Sequence, residues 1–213
     1  TRYGLLTGRY SWRTPLKAGI VAKWGPPLIA EDRLTLADVA RSAGLTSACI
    51  GKWHLGWRWP KQGGGFTRKA EEIDYGQPIG GGALEAGFDH YFGDDVPNWP
   101  PYVWIEDDRA LSVPEGRMEQ DDVNGVRAGP MTPGWSLEAV LPELTRHCVN
   151  FIRGKAQSKE RFFLYFPMNS PHTPINPSED FKGKSGVNKY ADFLLETDWS
   201  VGQVMRALER NGV

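Results

Sequence analysis

Gly51-Lys52-Trp53-His54-Leu55-Gly56 follows directly on the run Thr46-Ser47-Ala48-Cys49-Ile50. That run is bounded upstream by Gly44 and reads as a brief buried strand. A helix opens before it at Thr35, with Leu36, Val39, Ala40 and Ala43 on one face and Gly44 as its stop. Helix, short turn and strand are half of a parallel α/β unit. In extended chain, residues i and i+2 point the same way, so Lys52 and His54 share a side and Trp53 turns from it. Open α/β sheets bind ligands outside the carboxyl ends of their strands. A lysine there supplies a point charge for an anion, and a histidine supplies a proton carrier near neutral pH. Taken alone, Lys-x-His equally describes a surface lysine beside a packed histidine, so the rest of the chain has to decide.

A second strand end repeats the pattern. Arg161 leads into Phe162-Phe163-Leu164-Tyr165-Phe166, a continuous apolar run of the kind buried on both faces of a parallel sheet. Asn169-Ser170-Pro171-His172-Thr173-Pro174 follows it at once. Two strands ending on one edge bring two histidine loops to one place. The flanking helices are legible. From Leu137, the residues Val140, Leu141, Leu144, Cys148, Phe151 and Ile152 fall on one side, with Pro142 as a kink or as the true first turn. From Lys189 to Asn211, Tyr190, Phe193, Leu194, Val201, Val204, Met205 and Leu208 mark an amphipathic face, and Gly212 is its cap. At the other end, Tyr3, Leu6 and Tyr10 recur at near-helical spacing, with Gly8 as a stop.

Between these elements the chain is irregular. It has 213 residues with 25 glycines and 16 prolines, so much of it is loop. Residues 57–87 form a glycine-rich excursion, read as a surface insertion, and 112–134 form a peripheral Gly/Pro loop. Gly63-Gly64-Gly65 and Gly80-Gly81-Gly82 lack the strand-then-helix context of a phosphate loop. Tyr102, Trp104 and Glu106 alternate with Val103 and Ile105, as in a short strand. Nine tryptophans are many for this length and suit a loop-built binding surface. Net charge is −1, which argues against a nucleic-acid partner held by bulk charge. No apolar run is long enough to span a bilayer. Cys49 and Cys148 lack metal-type spacing and read as two buried thiols, with a disulfide as the alternative.

Several stretches together carry a resemblance. The chain resembles the type I sulfatases of the alkaline phosphatase-like superfamily, whose signature C/S-x-P-S/T-R-x-x-x-L-T-G-R is matched in its second half by Thr1-Arg2 and Leu6-Thr7-Gly8-Arg9. The G-K-W-H-x-G signature stands at Gly51–Gly56, S-P-H-x-P at Ser170–Pro174, and G-F-D-x-x-F-G at Gly87–Gly93. The resemblance spans nearly the whole chain, in the family's order. It implies an α/β fold: a partial three-layer sandwich with a mainly parallel sheet and helices on both faces. Residues 1–213 would be part of a catalytic domain, with 57–134 a loop-rich insertion region within it.

The resemblance also implies a chemistry: hydrolysis of sulfate esters by a formylglycine nucleophile lying outside this chain. Candidate catalytic residues are then Arg2, orienting the nucleophile; Lys52, binding it and a sulfate oxygen; His54, a base; and His172, contacting sulfate and protonating the leaving oxygen. Arg9 is expected to hold its helix. Asp95, Asn98 and Trp99 are candidate substrate contacts, with a solvated acidic turn as the other reading of Asp94 and Asp95. Trp57, Trp59 and Trp104 either stack on sugars or pack. His90 and His147 are expected in packing roles. Calcium belongs to the family, but its ligands are expected outside this chain, so no metal ligand is assigned here. A sulfated carbohydrate is the expected substrate, and relatives of this kind are periplasmic, secreted or lysosomal. The alternatives are a phosphatase or phosphonate hydrolase of the same superfamily, and a non-catalytic carbohydrate-binding module built on the aromatic loops.

Overall fold

A computed structural model describes residues 1–213. Its helices are α1 (Arg2–Thr7), α2 (Leu36–Ser42), α3 (Val140–Ser158) and α4 (Lys189–Asn211). Its strands are β1 (Thr46–Ile50), β2 (Trp59–Pro60), β3 (Phe66–Thr67), β4 (His90–Gly93), β5 (Ile105–Glu106), β6 (Arg109–Ala110), β7 (Gly116–Met118), β8 (Gly129–Met131) and β9 (Phe162–Tyr165). The central sheet has the order β6-β5-β4-β1-β9. β1 pairs in parallel with both β4 and β9, and the β4–β5 and β5–β6 pairs are antiparallel. The parallel core of this mixed α/β sheet therefore sends the chain out of β1, β4 and β9 on one edge.

Local chemistry sets the boundaries. Thr35 caps α2 through a reciprocal box: its Oγ1 accepts from the Ala37 and Asp38 amides, and Asp38 Oδ2 accepts from the Thr35 amide. Pro142 lies in the first turn of α3, where its missing N–H leaves no helical bond unmade. Gly8 and Gly212 end α1 and α4 in the left-handed conformation.

The period of two along the strands separates two cores. Ala48, Ile50 and Phe92 face Val140, Leu144 and Cys148 of α3. Cys49, Tyr91, Phe163 and Tyr165 face Leu6 of α1 and Ala37 of α2. Helices thus cover both faces. Cys49 and Cys148 are both free, buried on opposite sides of the sheet. Burial pushes both thiols far above their ordinary value, so neither is a reactive thiolate.

Four expectations need correction. Residues 57–134 are loop-rich, yet they are not peripheral: they supply β4, β5 and β6 to the central sheet, and Trp57, Trp59, Ile73 and Ile79 to the core. The tryptophans are mostly interior, with Trp24, Trp53, Trp57, Trp59 and Trp135 all buried. Only the Ile105–Glu106 end of the alternating run is a strand; Tyr102 makes an isolated bridge to Met131. β9 is not buried on both faces, because it is the sheet's edge and all four of its residues are half-exposed.

Candidate active site

Three segments leave the sheet side by side: 51–56 after β1, 94–99 after β4, and 166–174 after β9. Backbone bonds lock the first between the other two. The Gly51 amide donates to Phe92 O, the Lys52 amide to Pro167 O at 2.9 Å, and the Trp53 amide to Asp94 O at 3.0 Å. Only glycine fits at the first position: Gly51 has φ 143°, and a Cβ there would stand 2.5 Å from Pro167 O. Gly56 closes the motif for the same reason, its missing Cβ leaving room for Pro26 O.

Arg2 ties two of these loops together. Its Nε donates to Lys52 O at 3.2 Å and its Nη2 to Met168 O at 3.4 Å. Lys52 acts on His54 through its charge, but strand alternation does not set their placement. β1 ends at Ile50, and His54 takes a left-handed backbone, φ 51°. The Asp95 carboxylate holds that turn by accepting the His54 amide at 3.1 Å. Trp53 turns inward and its indole N–H donates to Gly56 O.

The electrostatics are those of a cation-rich recess. Lys52 is 3% exposed, and no ion pair of the structure includes it. Burial, with Arg2 beside it, lowers its pKa, while Asp94 and Asp95 pull the other way. His54 falls to about 4, chiefly through burial, then through the charge of Lys52, with Arg2 and His172 adding smaller pushes. It is therefore neutral at pH 7. Its Nε2–H donates to Val21 O at 3.1 Å, because a carbonyl can only accept, so Nδ1 keeps a free lone pair. His172 is exposed on the β9 loop; its Nδ1–H donates to Thr173 O at 2.6 Å, which leaves Nε2 available. Arg2 and His54 line one recess with Tyr3, Ile20, Val21 and Leu55, and His54 feels the charges of Lys52 and His172 nearby.

The other sequence candidates fall around it. Asp95 is buried and spent on the His54 amide, so it positions His54 rather than meeting a ligand; burial raises it to about 6. Asn98 is buried and donates to Gly125 O at 2.7 Å. Trp99 lies at the rim, its ring edge-on to the His54 ring at 5.6 Å between centroids. The Arg9 guanidinium has no partner, so it does not anchor α1. His90 pairs with Asp107 at 2.8 Å, and His147 stacks on Phe92 at 3.4 Å; neither is near the recess.

Asp94 is not on a solvated turn: it is buried with both carboxylate oxygens unpartnered, and burial raises its pKa against the pull of Lys52. Its position directly after an unrecognised strand was the available signal. The carbonyls of Val21 and Met168 carry no residue signature at all, since any residue supplies one.

The cationic and imidazole side chains thus lie beyond the carboxyl ends of the parallel strands, where open α/β sheets bind ligands. The match to known proteins sharpens this: the family model "Sulfatase" covers residues 1–213, and the chain belongs to the sulfatase family. It is 30% identical to an N-acetylgalactosamine-6-O-sulfatase of Bacteroides thetaiotaomicron, over 98% of this chain and 45% of that protein. It is 30% identical to arylsulfatase A of Bos taurus, over 98% of this chain and 38% of that one. A solved sulfatase structure from glycosaminoglycan metabolism by Bacteroides thetaiotaomicron superposes with a TM-score of 0.79 at 26% identity, over 99% of this chain and 49% of that one. The chain therefore spans less than half the length of these relatives.

Proposed function

We propose that this chain provides the sulfate-binding and proton-handling side of a sulfuric ester hydrolase acting on sulfated sugars. The carrying observation is the buried, unpaired Lys52 beside Arg2 and two imidazoles. Asp94 and Asp95 draw on this ammonium, but neither is in ion-pair contact with it, and a buried ammonium left so is completed by an anion entering beside it. Lys52 holds a sulfate oxygen, and Arg2 adds a second positive charge while fixing the two loops at the distance the anion needs. Charge spreads onto the sulfuryl oxygens as the S–O bond breaks, and donors already in place stabilise it there. His54, neutral with Nδ1 free, accepts a proton. His172, when it carries a proton on each ring nitrogen, gives the one on Nε2 to the leaving oxygen and keeps the one on Nδ1 that Thr173 O accepts. The likeness to an N-acetylgalactosamine-6-O-sulfatase supports a 6-O-sulfated N-acetylgalactosamine unit of a glycosaminoglycan as the substrate.

Formylglycine and calcium are the groups the family implies. The residues here do not make either site. No cluster of three or more His, Cys, Asp or Glu side chains converges, and the two adjacent carboxylates, Asp94 and Asp95, face a lysine and a backbone amide. A hard cation wants six to eight oxygens. Cys49 is fully buried behind the site and is not its nucleophile. The 213 residues by themselves are therefore expected to release no sulfate.

The test is sulfate release by the full-length protein from 6-sulfated N-acetylgalactosamine, with the 6-phosphate as comparator. Sulfate release that exceeds phosphate release by orders of magnitude is the expected result. Preferential phosphate release would assign the superfamily's phosphatase chemistry instead, and retention of sugar without any release would assign a binding module.

A further inference from the structure

One cation near the recess is not used by the chemistry above. Arg127 is exposed, belongs to no ion pair, and holds its guanidinium 5.1 Å from the centroid of the Trp99 ring. The other side of the argument is what Trp99 touches: its ring meets His54 at 5.6 Å. The guanidinium thus sits one indole out from the imidazole, along the rim. Its backbone is clamped at both ends. The Arg127 amide donates to Asn98 O at 3.1 Å, and Arg127 O accepts from the Tyr102 hydroxyl at 2.5 Å. Asn98 Nδ2 binds Gly125 O in the same loop. In that loop Asp121 is engaged with the amides of Val123 and Asn124 and with the Asn124 side chain.

We propose that Arg127, stacked on Trp99, binds an anionic group on the sugar next to the one that carries the scissile sulfate. This rests on the functional reading above and extends it to an oligosaccharide bearing a second negative charge, as a uronate carboxylate or a further sulfate. The physical case has three parts. A guanidinium matches two oxygens of either anion in one plane. Stacking on an indole holds the cation without neutralising it. The clamped backbone means that little freedom is lost on binding, so more of the interaction appears as affinity. Trp99 also presents an apolar ring at the place where a sugar face would pass between the two anion sites. Asn98 is thereby a positioning residue for Arg127.

The experiment uses the full-length protein and Arg127→Gln, with four substrates. These are the sulfated N-acetylhexosamine alone, and the same unit linked to a neutral hexose, to a hexuronate, or to a sulfated hexose. Expected is a roughly tenfold loss of kcat/KM for the last two, carried by KM with kcat unchanged, and no more than about twofold for the first two. The wild-type preference for the charged pair should also fade as salt rises, whereas that of Arg127→Gln should not. Loss for only one of the charged substrates identifies the group as carboxylate or sulfate. Equal losses on all four, or none, overturn the inference while leaving the sulfatase reading intact. A wild-type protein that releases sulfate from none of them overturns both. An unchanged Tm for Arg127→Gln checks that folding is not the cause.

Discussion

Lys52 is where function and stability pull apart. Its ammonium is out of water, eased by the nearby Asp94 and Asp95 but in ion-pair contact with neither, a cost that the folded chain carries. Replacing it by an apolar side chain of similar length removes that cost and removes the anion's main contact. In the full-length enzyme, Lys52→Met should lower kcat by about a hundredfold to a thousandfold, the size seen when one preorganised donor is lost. Thermal unfolding of the same variant should occur at an unchanged or higher Tm. A lowered Tm would mean that the ammonium is a structural partner of Asp94. His54 allows a sharper test, through pH. Its pKa is about 4 in the fold against an ordinary 6.5. Between those values the unfolded chain binds a proton that the folded one refuses, so stability rises with pH across this window. The contribution is complete above pH 6.5 and is lost as pH falls toward 4. Asp95 works oppositely: raised to about 6, it favours the fold at low pH and loses that contribution as pH rises through 6. Comparison with His54→Gln separates the two, since the amide that Asp95 holds is backbone and survives the change. Urea unfolding should show the wild type losing stability relative to His54→Gln on acidification from pH 6.5 to 4; a constant gap would place His54 in contact with water. At this scale the sequence was readable for types of residue, Lys-x-His after a strand and His after another. It was not readable for state, because burial and carbonyl partners such as Val21 O arise only once distant loops meet.

At the scale of elements, the loops that carry these side chains are held by close backbone approach rather than by long ladders. β1 and β9 share four paired positions, and the chain beyond them continues through the Lys52–Pro167 bond. Gly51→Ala is the direct probe. Its φ of 143° suits glycine alone, and the added methyl would meet Pro167 O at 2.5 Å. Both penalties fall on one residue, so a loss of about 3 kcal/mol is expected. In a chain of this size that corresponds to a Tm lowered by about 6–12 °C, readable by calorimetry. A change below one degree would mean that the two loops yield independently. The same elements show where periodicity serves and where it fails. α2, α3 and α4 were legible because long apolar periods and caps repeat one signal many times. β4 and β6 were not, being four and two residues long with no alternation to read, and β5 was legible only as the end of the alternating run at 102–106. The face of α4 was also misread: Phe193, Glu196, Ser200 and Ala207 are inside, while Tyr190, Leu194, Val201 and Met205 are exposed. Ser200 earns its place by accepting from Thr145 Oγ1 of α3 at 3.0 Å, and Glu196 by accepting the Ser178 amide at 2.9 Å. Partners of that kind cannot be seen in a helical wheel.

At the scale of the whole molecule, exposed apolar side chains gather on two helical layers. Tyr190, Leu194, Leu195, Val201 and Met205 form exposed stretches of α4, and Leu5, Leu36 and Val39 do so on the opposite helical layer. Beside them β9 is an open edge, with residues half-exposed and one flank of its peptide groups unpaired by any strand. An apolar helix face is an association surface, and an open edge is a template for pairing. The two act in the same direction. The 213-residue chain prepared by itself should therefore associate at concentrations of tens of micromolar, by light scattering or sedimentation, and do so more as salt is raised. Leu194→Lys together with Met205→Lys should return it to a monomer, since neither side chain packs inward and the fold loses nothing. The helical circular dichroism should be unchanged in that pair. If the unaltered chain stays monomeric at these concentrations, the exposed face of α4 is solvated without penalty. If the lysine pair still associates, β9 and not α4 provides the contact, and a proline at Leu164, whose amide points away from β1, becomes the variant that separates them.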